Sequence, residues 1–427
     1  MAEIAAGALV AEQVVATGLE AAAAASIARP TQPLKASLTQ IATSPAGDSS
    51  PADNMMDSLA LARSHHTVTV IGDKAYIFGG EQSNGRLCNT DVHAISLPSD
   101  TKPAAEYACY PAFPVKETTT GELLVPSPRR GHAACARGKY VLVHGGSDEN
   151  GTPIDEDACI WLWDSETLAW GKVHAVTQIG KTLAPREGHS IFIQEKQDLL
   201  VLHGGGTGSA NTGDTWLYDF NAVAWTQLPS CPVGPASSSF VNNTLYSIST
   251  ESNVGGSIHF LNLGSNETDR SRPDALKWEK VDFPANPLAA GPKARVGSDL
   301  VPISTGYGRS YLVYLLGGSE QHGNGTKEQP YYSDIWSLQL PSQGFTLTTV
   351  KDTIRDKLPG HVESGAFSWA EVELVPTEQV EHEGKVHPGP RGFFGAASCL
   401  GAKGVVFWGG VNAKGEREAD GWLLRIR

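Results

Sequence analysis

Short apolar runs ending in paired glycines punctuate this chain. "AYIFGG", "YVLVHGG", "LLVLHGG", "LVYLLGG" and "VVFWGG" put doublets at Gly79–Gly80, Gly145–Gly146, Gly204–Gly205, Gly317–Gly318 and Gly409–Gly410. Runs this short, stopped by turn residues, predict strands rather than helices. The interval between the third and fourth doublets is about twice a unit of roughly 50–60 residues, so a degenerate unit belongs between them. "GPASSSFVNNTLYSISTES" fills it, with Ser249 and Thr250 where the glycines would stand.

Two further signals keep step with the doublets. Upstream, "LARSHH", "SPRRGH", "APREGH", "GPASSS", "KARVGS" and "GPRGFF" align Arg63, Arg129, Arg186, Ala236, Arg295 and Arg391. Three positions on stand His66, His132, His189, Ser239, Ser298 and Phe394. Downstream come two aromatic positions. The first holds His93, Trp161, Trp216, His259, Trp336 and Trp422; the second holds Trp170, Trp225, Trp278 and Trp369, with Tyr107 standing in. Eight of the ten tryptophans fall on these two positions, which rules out coincidence. Each unit therefore carries four strand-like runs, and four antiparallel strands repeated radially make a β-propeller.

The doublets and spaced aromatics resemble the kelch repeat over roughly residues 34–427. The resemblance implies an all-β, six-bladed kelch-type β-propeller. The blades should span about 60–112, 127–175, 184–230, 234–284, 291–375 and 388–427. The sixth unit ends at "GWLLRIR" without a fourth strand. "LKASLTQIATS", residues 34–44, supplies one, with Leu38 at the tryptophan position and Ile41 at the following apolar position. This N-terminal strand should pair with the C-terminal blade, closing the ring and hiding two sheet edges.

Residues 1–30 have Ile4, Ala8, Ala11, Val15 and Leu19 at helical spacing, which predicts an amphipathic helix. It would pack on the ring or on a second subunit, making a homo-oligomer. Glu3, Glu12 and Glu20, with no basic residue before Arg29, fit neither a signal peptide nor a membrane span. The alanine-rich extension resembles stand-alone kelch proteins of fungal type. A net charge of −13 argues against nucleic acid or an anionic membrane as partner. Six scattered cysteines without C-x-x-C spacing suggest a reduced, cytoplasmic protein with no zinc site.

In kelch propellers the ligand face is built from the loops after the doublet and those leading into the first strand. By that resemblance, the position after the repeat arginine supplies Ser64, Arg130, Glu187, Ser237, Val296 and Gly392. The position after the doublet supplies Glu81, Ser147, Gly206, Glu251, Ser319 and Val411. His65, which breaks the repeat, joins them, as do Tyr331 and Tyr332 of the enlarged loop 319–334. Residues 112–127 and 376–389 should enlarge loops on that face, and 341–366 should project from the opposite face or rim. Glu81, Arg130, Glu187 and Tyr331 are the candidates for acid/base work; a solvated rim is the plainer alternative.

The repeat arginines should tie loops between blades by charge-assisted hydrogen bonds. The histidines sit on different blades, so interblade packing suits them better than a shared metal ion. No metal or cofactor is expected. Two functions remain open. One is binding of a protein, peptide or small polar ligand at the channel mouth. The other is a metal-independent enzyme, an isomerase, cyclase or lyase, using the same pocket. The second is suggested by an architecture that resembles sialic-acid mutarotases.

Overall fold

The computed structural model describes residues 32–41, 43–45, 60–99, 105–113, 115–116, 121, 123–174, 176–177, 183–206, 212–249, 256–264, 276–283, 291–306, 309–318, 331–342, 352, 365–376 and 385–427. The expected helix over 1–30, and Glu251 and Ser319, lie outside them.

The described strands form an all-β, six-bladed propeller of antiparallel sheets with up-and-down order. Blade 3 shows the plan: Ser190–Gln194 innermost, then Leu199–His203, Thr215–Asp219 and Ala224–Leu228 outermost. Second strands are buried on both faces, which is why they read as unbroken apolar runs. First strands are smaller and more polar because one side lines the central channel.

The core is distributed. Six apolar clusters each draw from two neighbouring blades. Trp225, fully buried, packs with Ile160 of blade 2 and Leu202 of its own blade. Blades are thus glued face to face, and no blade buries its sheet alone.

The N-terminal strand closes the ring as expected. Lys35–Ile41 runs antiparallel to Gly421–Ile426, with Leu38 opposite Leu424 and Ile41 opposite Gly421. Leu38 joins the cluster of Trp422, and Ile41 that of Trp408. The chain then does something the repeat did not announce. Thr43–Pro45 continues onto blade 1 and lies parallel to its fourth strand, Ala105–Tyr110. Val176–Thr177 does the same from blade 2 to blade 3, and Glu373–Leu374 from blade 5 to the closing strand. Linkers thereby cover sheet edges that would otherwise offer unpaired N–H and C=O groups. The described part of 112–127 serves a similar end. Instead of a plain loop it forms a hairpin, Val115–Lys116 with Leu123–Leu124, against blade 2's outer strand Ala169–Val173.

Two registers differ from the sequence alignment. In blade 5, Leu316 accepts the arginine hydrogen bond that the first glycine accepts elsewhere, and its φ is 35°. Val296 therefore bridges to Gly318, so Gly318, not Ser319, occupies the position after the doublet. In blade 4 a bulge at Pro235–Ser237 moves the chain along, and Ser237 pairs with Ile248 inside the inner strand. Ser237 is buried and donates to the Ser298 carbonyl at 2.8 Å, so it is no part of the rim. Away from the doublets, the turn between Pro302 and Leu312 carries Arg309, whose ion pair with Asp352 anchors the described part of the 341–366 insertion there.

Candidate binding site

A backbone collar surrounds the channel mouth. The second residue after the repeat arginine has a left-handed backbone in five blades: His65 (55°), Gly131 (61°), Gly188 (67°), Gly297 (61°) and Phe393 (58°). Its N–H reaches the equivalent carbonyl of the preceding blade, Phe393 to Gly297, His65 to Phe393, Gly131 to His65 and Gly188 to Gly131. Glycine takes this conformation freely; histidine and phenylalanine are strained in it. The two strained residues are neighbours, and their rings stack at 4.3 Å with a 22° tilt.

Beside that stack lies a charged web spanning three blades. Glu81, buried, accepts from Arg130 of blade 2 and Arg417 of blade 6, each at 2.6 Å. Burial pushes its carboxyl upward, but the two guanidinium hydrogen bonds outweigh it and hold the group below its ordinary range. Nδ1 of His65 lies 3.2 Å from Ser64 Oγ and 3.5 Å from Glu81. Burial lowers the His65 pKa to about 4; Glu81 opposes this and Arg130 and Arg417 reinforce it. The imidazole is neutral at pH 7. Ser147 donates to Glu187, and the absence of a side chain on Gly131 leaves room for that carboxylate. Tyr331 stands against Gly392, where a Cβ would meet its ring at 2.8 Å.

The structure thus gathers Ser64, His65, Glu81, Arg130, Ser147, Glu187 and Tyr331 at one mouth. Tyr332 turns away and stacks over Arg295, with 4.8 Å between the guanidinium carbon and the ring centre. Arg417 and Phe393 also belong here. Aligning the loop after each doublet, "EQSNGRL", "SDENGTP" and "VNAKGER", would have flagged Arg417, since its counterparts are Leu87 and Pro153. Phe393 was legible as the other non-glycine residue at the collar position among the arginine-bearing blades.

Below the mouth the inner strands enclose a channel of about 380 Å³. Thr67, Ala133, Ser190, Asp299 and Gly395 line its wall at equivalent places, and Ser238 lines it in blade 4. In blade 1, Thr67 meets His132 of the next blade at 2.9 Å. Asp299 has Phe394 where that histidine would be. Burial pushes its carboxyl up to about 7, against a hydrogen bond from the Ala396 backbone. The repeat histidines pack against neighbouring blades: His189 contacts His144 at 2.9 Å, and His132 sits edge-on to Phe78. Among the described residues no His, Cys, Asp and Glu grouping could hold a metal ion.

The repeat arginines behave differently from expectation. Their side chains tie loops within a blade, not between blades. Nη1 of Arg129, Arg186, Arg295 and Arg391 each donates to a backbone carbonyl of its own blade, Gly145, Gly204, Leu316 and Gly409. The same Nη1 also reaches a carboxylate before the third strand: Glu156, Asp214, Asp334 and Asp420 respectively. It is the arginine backbone that crosses between blades, as where Gly80 N–H donates to the Arg129 carbonyl.

Comparison with known proteins agrees with this architecture. A family model described as the KLHDC2/KLHL20/DRC7 Kelch-repeats domain matches residues 131–367. The F-box/kelch-repeat protein At1g51550 of Arabidopsis thaliana is 25% identical over 189 residues, covering 43% of this chain and 37% of its own. Acyl-CoA-binding domain-containing protein 4 of the same plant is 30% identical over 41% of this chain and 24% of its own. The human Rab9 effector protein with kelch motifs is 27% identical over 32% of this chain and 31% of its own. The matched stretches thus span well under half of these relatives. The solved structure of YjhT superposes with a TM-score of 0.52 at 14% identity, covering 86% of this chain and 97% of that one, a likeness of fold alone.

Proposed function

The chain belongs to the family of KLHDC2/KLHL20/DRC7 kelch-repeat domains, and from that premise we propose that it is a binding propeller that receives a protein or peptide segment at its channel mouth. The observation that carries this reading is the Arg130–Glu81–Arg417 web. Three blades hold one buried carboxylate between two cations, so the web carries a net positive charge and its donors and acceptors are fixed. Such a surface suits recognition of a polar main chain, with the His65–Phe393 stack as an apolar anchor. The Rab9 effector relative is named for a protein partner, which supports the reading by analogy. Free cysteines throughout favour a reducing, cytoplasmic setting. No helix among the described residues is long and apolar enough to cross a membrane.

Panning a displayed peptide library against the propeller tests this. Enriched peptides should lose at least about tenfold in affinity for the Arg417→Ala protein, the loss expected of a charge-assisted contact. Peptides that bind the variant as tightly as the parent would sink the proposal.

A second reading rests on His65. A neutral imidazole beside a carboxylate, on strained backbone, is an arrangement that proton-transfer sites use. It implies a small-molecule isomerase or lyase without a metal. Loss of a screened lyase or isomerase activity in His65→Gln, with melting temperature unchanged, is the outcome it requires.

A further inference from the structure

One repeat arginine lacks what the other four have. Arg63 is 1% exposed, and its Nη1 donates to Gly79 at 3.0 Å, as its counterparts do to their blades. The second Nη1 bond, which elsewhere goes to Glu156, Asp214, Asp334 or Asp420, has no carboxylate at its end. Nε and Nη2 meet the Ala60 carbonyl, and Nη2 meets Nε2 of His93 at 2.9 Å. All these acceptors are neutral, since burial and Arg63 itself lower the His93 pKa to about 3. Among the described residues no carboxylate hydrogen-bonds this buried cation, Asp91 acting on it only at longer range, and proteins rarely leave a buried cation so weakly paired.

The cause is legible in blade 1. Asp91 occupies the position of Asp214, Asp334 and Asp420, two residues before the first aromatic. In blades 3 and 5 the tryptophan indole N–H holds that aspartate against the arginine, at 2.7 Å from Trp216 and 2.6 Å from Trp336. Blade 1 has His93 instead, whose ring nitrogens face Arg63 and Tyr107. Released, Asp91 turns to the Ala112 N–H and to Asn89. His93 and Tyr107 are also smaller than the tryptophan pair, and the space they leave opens into a cavity of about 820 Å³. Arg63, His93 and Tyr107 line it, with Arg86 and Cys88 nearer the loop after the doublet and Asp148 across from them on blade 2.

We infer that this cavity is a carboxylate-binding site, in which a ligand supplies to Arg63 the anion that the other arginine-bearing blades supply from their own chain. The incoming carboxylate takes the open Nη1–H, and the flanking Asp91, Asp148 and Glu149 limit the cavity to acids presented singly rather than as polyanions. The source is either a free small acid or a glutamate side chain of a bound peptide. The inference does not depend on the channel mouth binding anything.

Blade 1 can be tested by making it like blades 3 and 5. His93→Trp should bring Asp91 onto Arg63 and narrow the cavity beside it while keeping the fold. Binding is read by thermal stabilisation and by ligand-observed NMR, using butyrate, the peptide Ac-Ala-Glu-Ala-NH2, and the amide controls butyramide and Ac-Ala-Gln-Ala-NH2. The wild-type protein should prefer an acid over its amide by about tenfold or more, and His93→Trp should abolish that preference without lowering the melting temperature. Arg63→Lys, which retains charge without the forked donors, should weaken it. Preference for butyrate alone identifies a free acid, and preference for the glutamate peptide alone identifies a side chain. Equal response to acids and amides, or a preference that survives His93→Trp, overturns the inference. Loss of mouth binding in Arg417→Ala with carboxylate binding intact separates this site from the one proposed above.

Discussion

A buried guanidinium is held in place by what it is offered, and the repeat arginines show how little slack there is. Arg186 is 2% exposed and bonds both oxygens of Asp214 at 2.8 Å. Removing it would strand that carboxylate and the Gly204 carbonyl. Arg186→Ala should therefore destabilise the protein by about 3–5 kcal/mol, measured by chemical denaturation. An effect below about 1 kcal/mol, the size of a surface pair, would contradict the account. The acids were visible in the chain, two residues before Trp216, Trp336 and Trp422, yet an alignment anchored on arginine, glycine and tryptophan passed over them. The miss has a physical origin. Blade 2 places Glu156 five residues before Trp161, with a longer side chain spanning the difference, so the spacing is not uniform.

Strands were legible wherever packing on two sides forces an unbroken apolar run, which is why the second strands and doublets stood out. They became illegible where local backbone replaced side-chain pattern. Leu316 takes the left-handed conformation that glycine marks in other blades, hiding the one-residue offset in blade 5. The bulge in blade 4 likewise moved Ser237 from rim to strand. The closing strand was readable because its apolar residues copy the pattern of "AWTQL". Its removal should be decisive. A chain starting at residue 32 should melt cooperatively, whereas one starting at residue 46 exposes the flank of Trp422 and Leu424 and should aggregate or lose its transition. The gentler Leu38→Ala should cost about 2–5 kcal/mol. Equal melting of both truncations would refute ring closure by this strand.

Across the whole molecule, six shared interfaces couple the blades, so a local ionisation is felt by global unfolding. Asp299 titrates near 7 in the folded ring and near 4 in an unfolded chain. Between those values the folded protein keeps a proton that the unfolded chain has released. Stability conferred by the protonated state should therefore decline as pH rises from about 4 to 7, by a few kcal/mol at most. Asp299→Asn should flatten that decline, read as melting temperature against pH; parallel profiles for the two proteins would dismiss the idea. The seam between Lys35–Ile41 and Gly421–Ile426 carries a different consequence, one of timing. The closing strand leaves the ribosome before the blades between, and its partner, Gly421–Ile426, after them. At about 5–20 residues per second, it waits some tens of seconds, on the order of the time to make the five blades between. Every newly made copy passes through that interval with the closing strand unpaired with Gly421–Ile426. During that interval the backbone groups that pair in register with Gly421–Ile426 are open to any other strand edge within reach, a second nascent chain on the same message included.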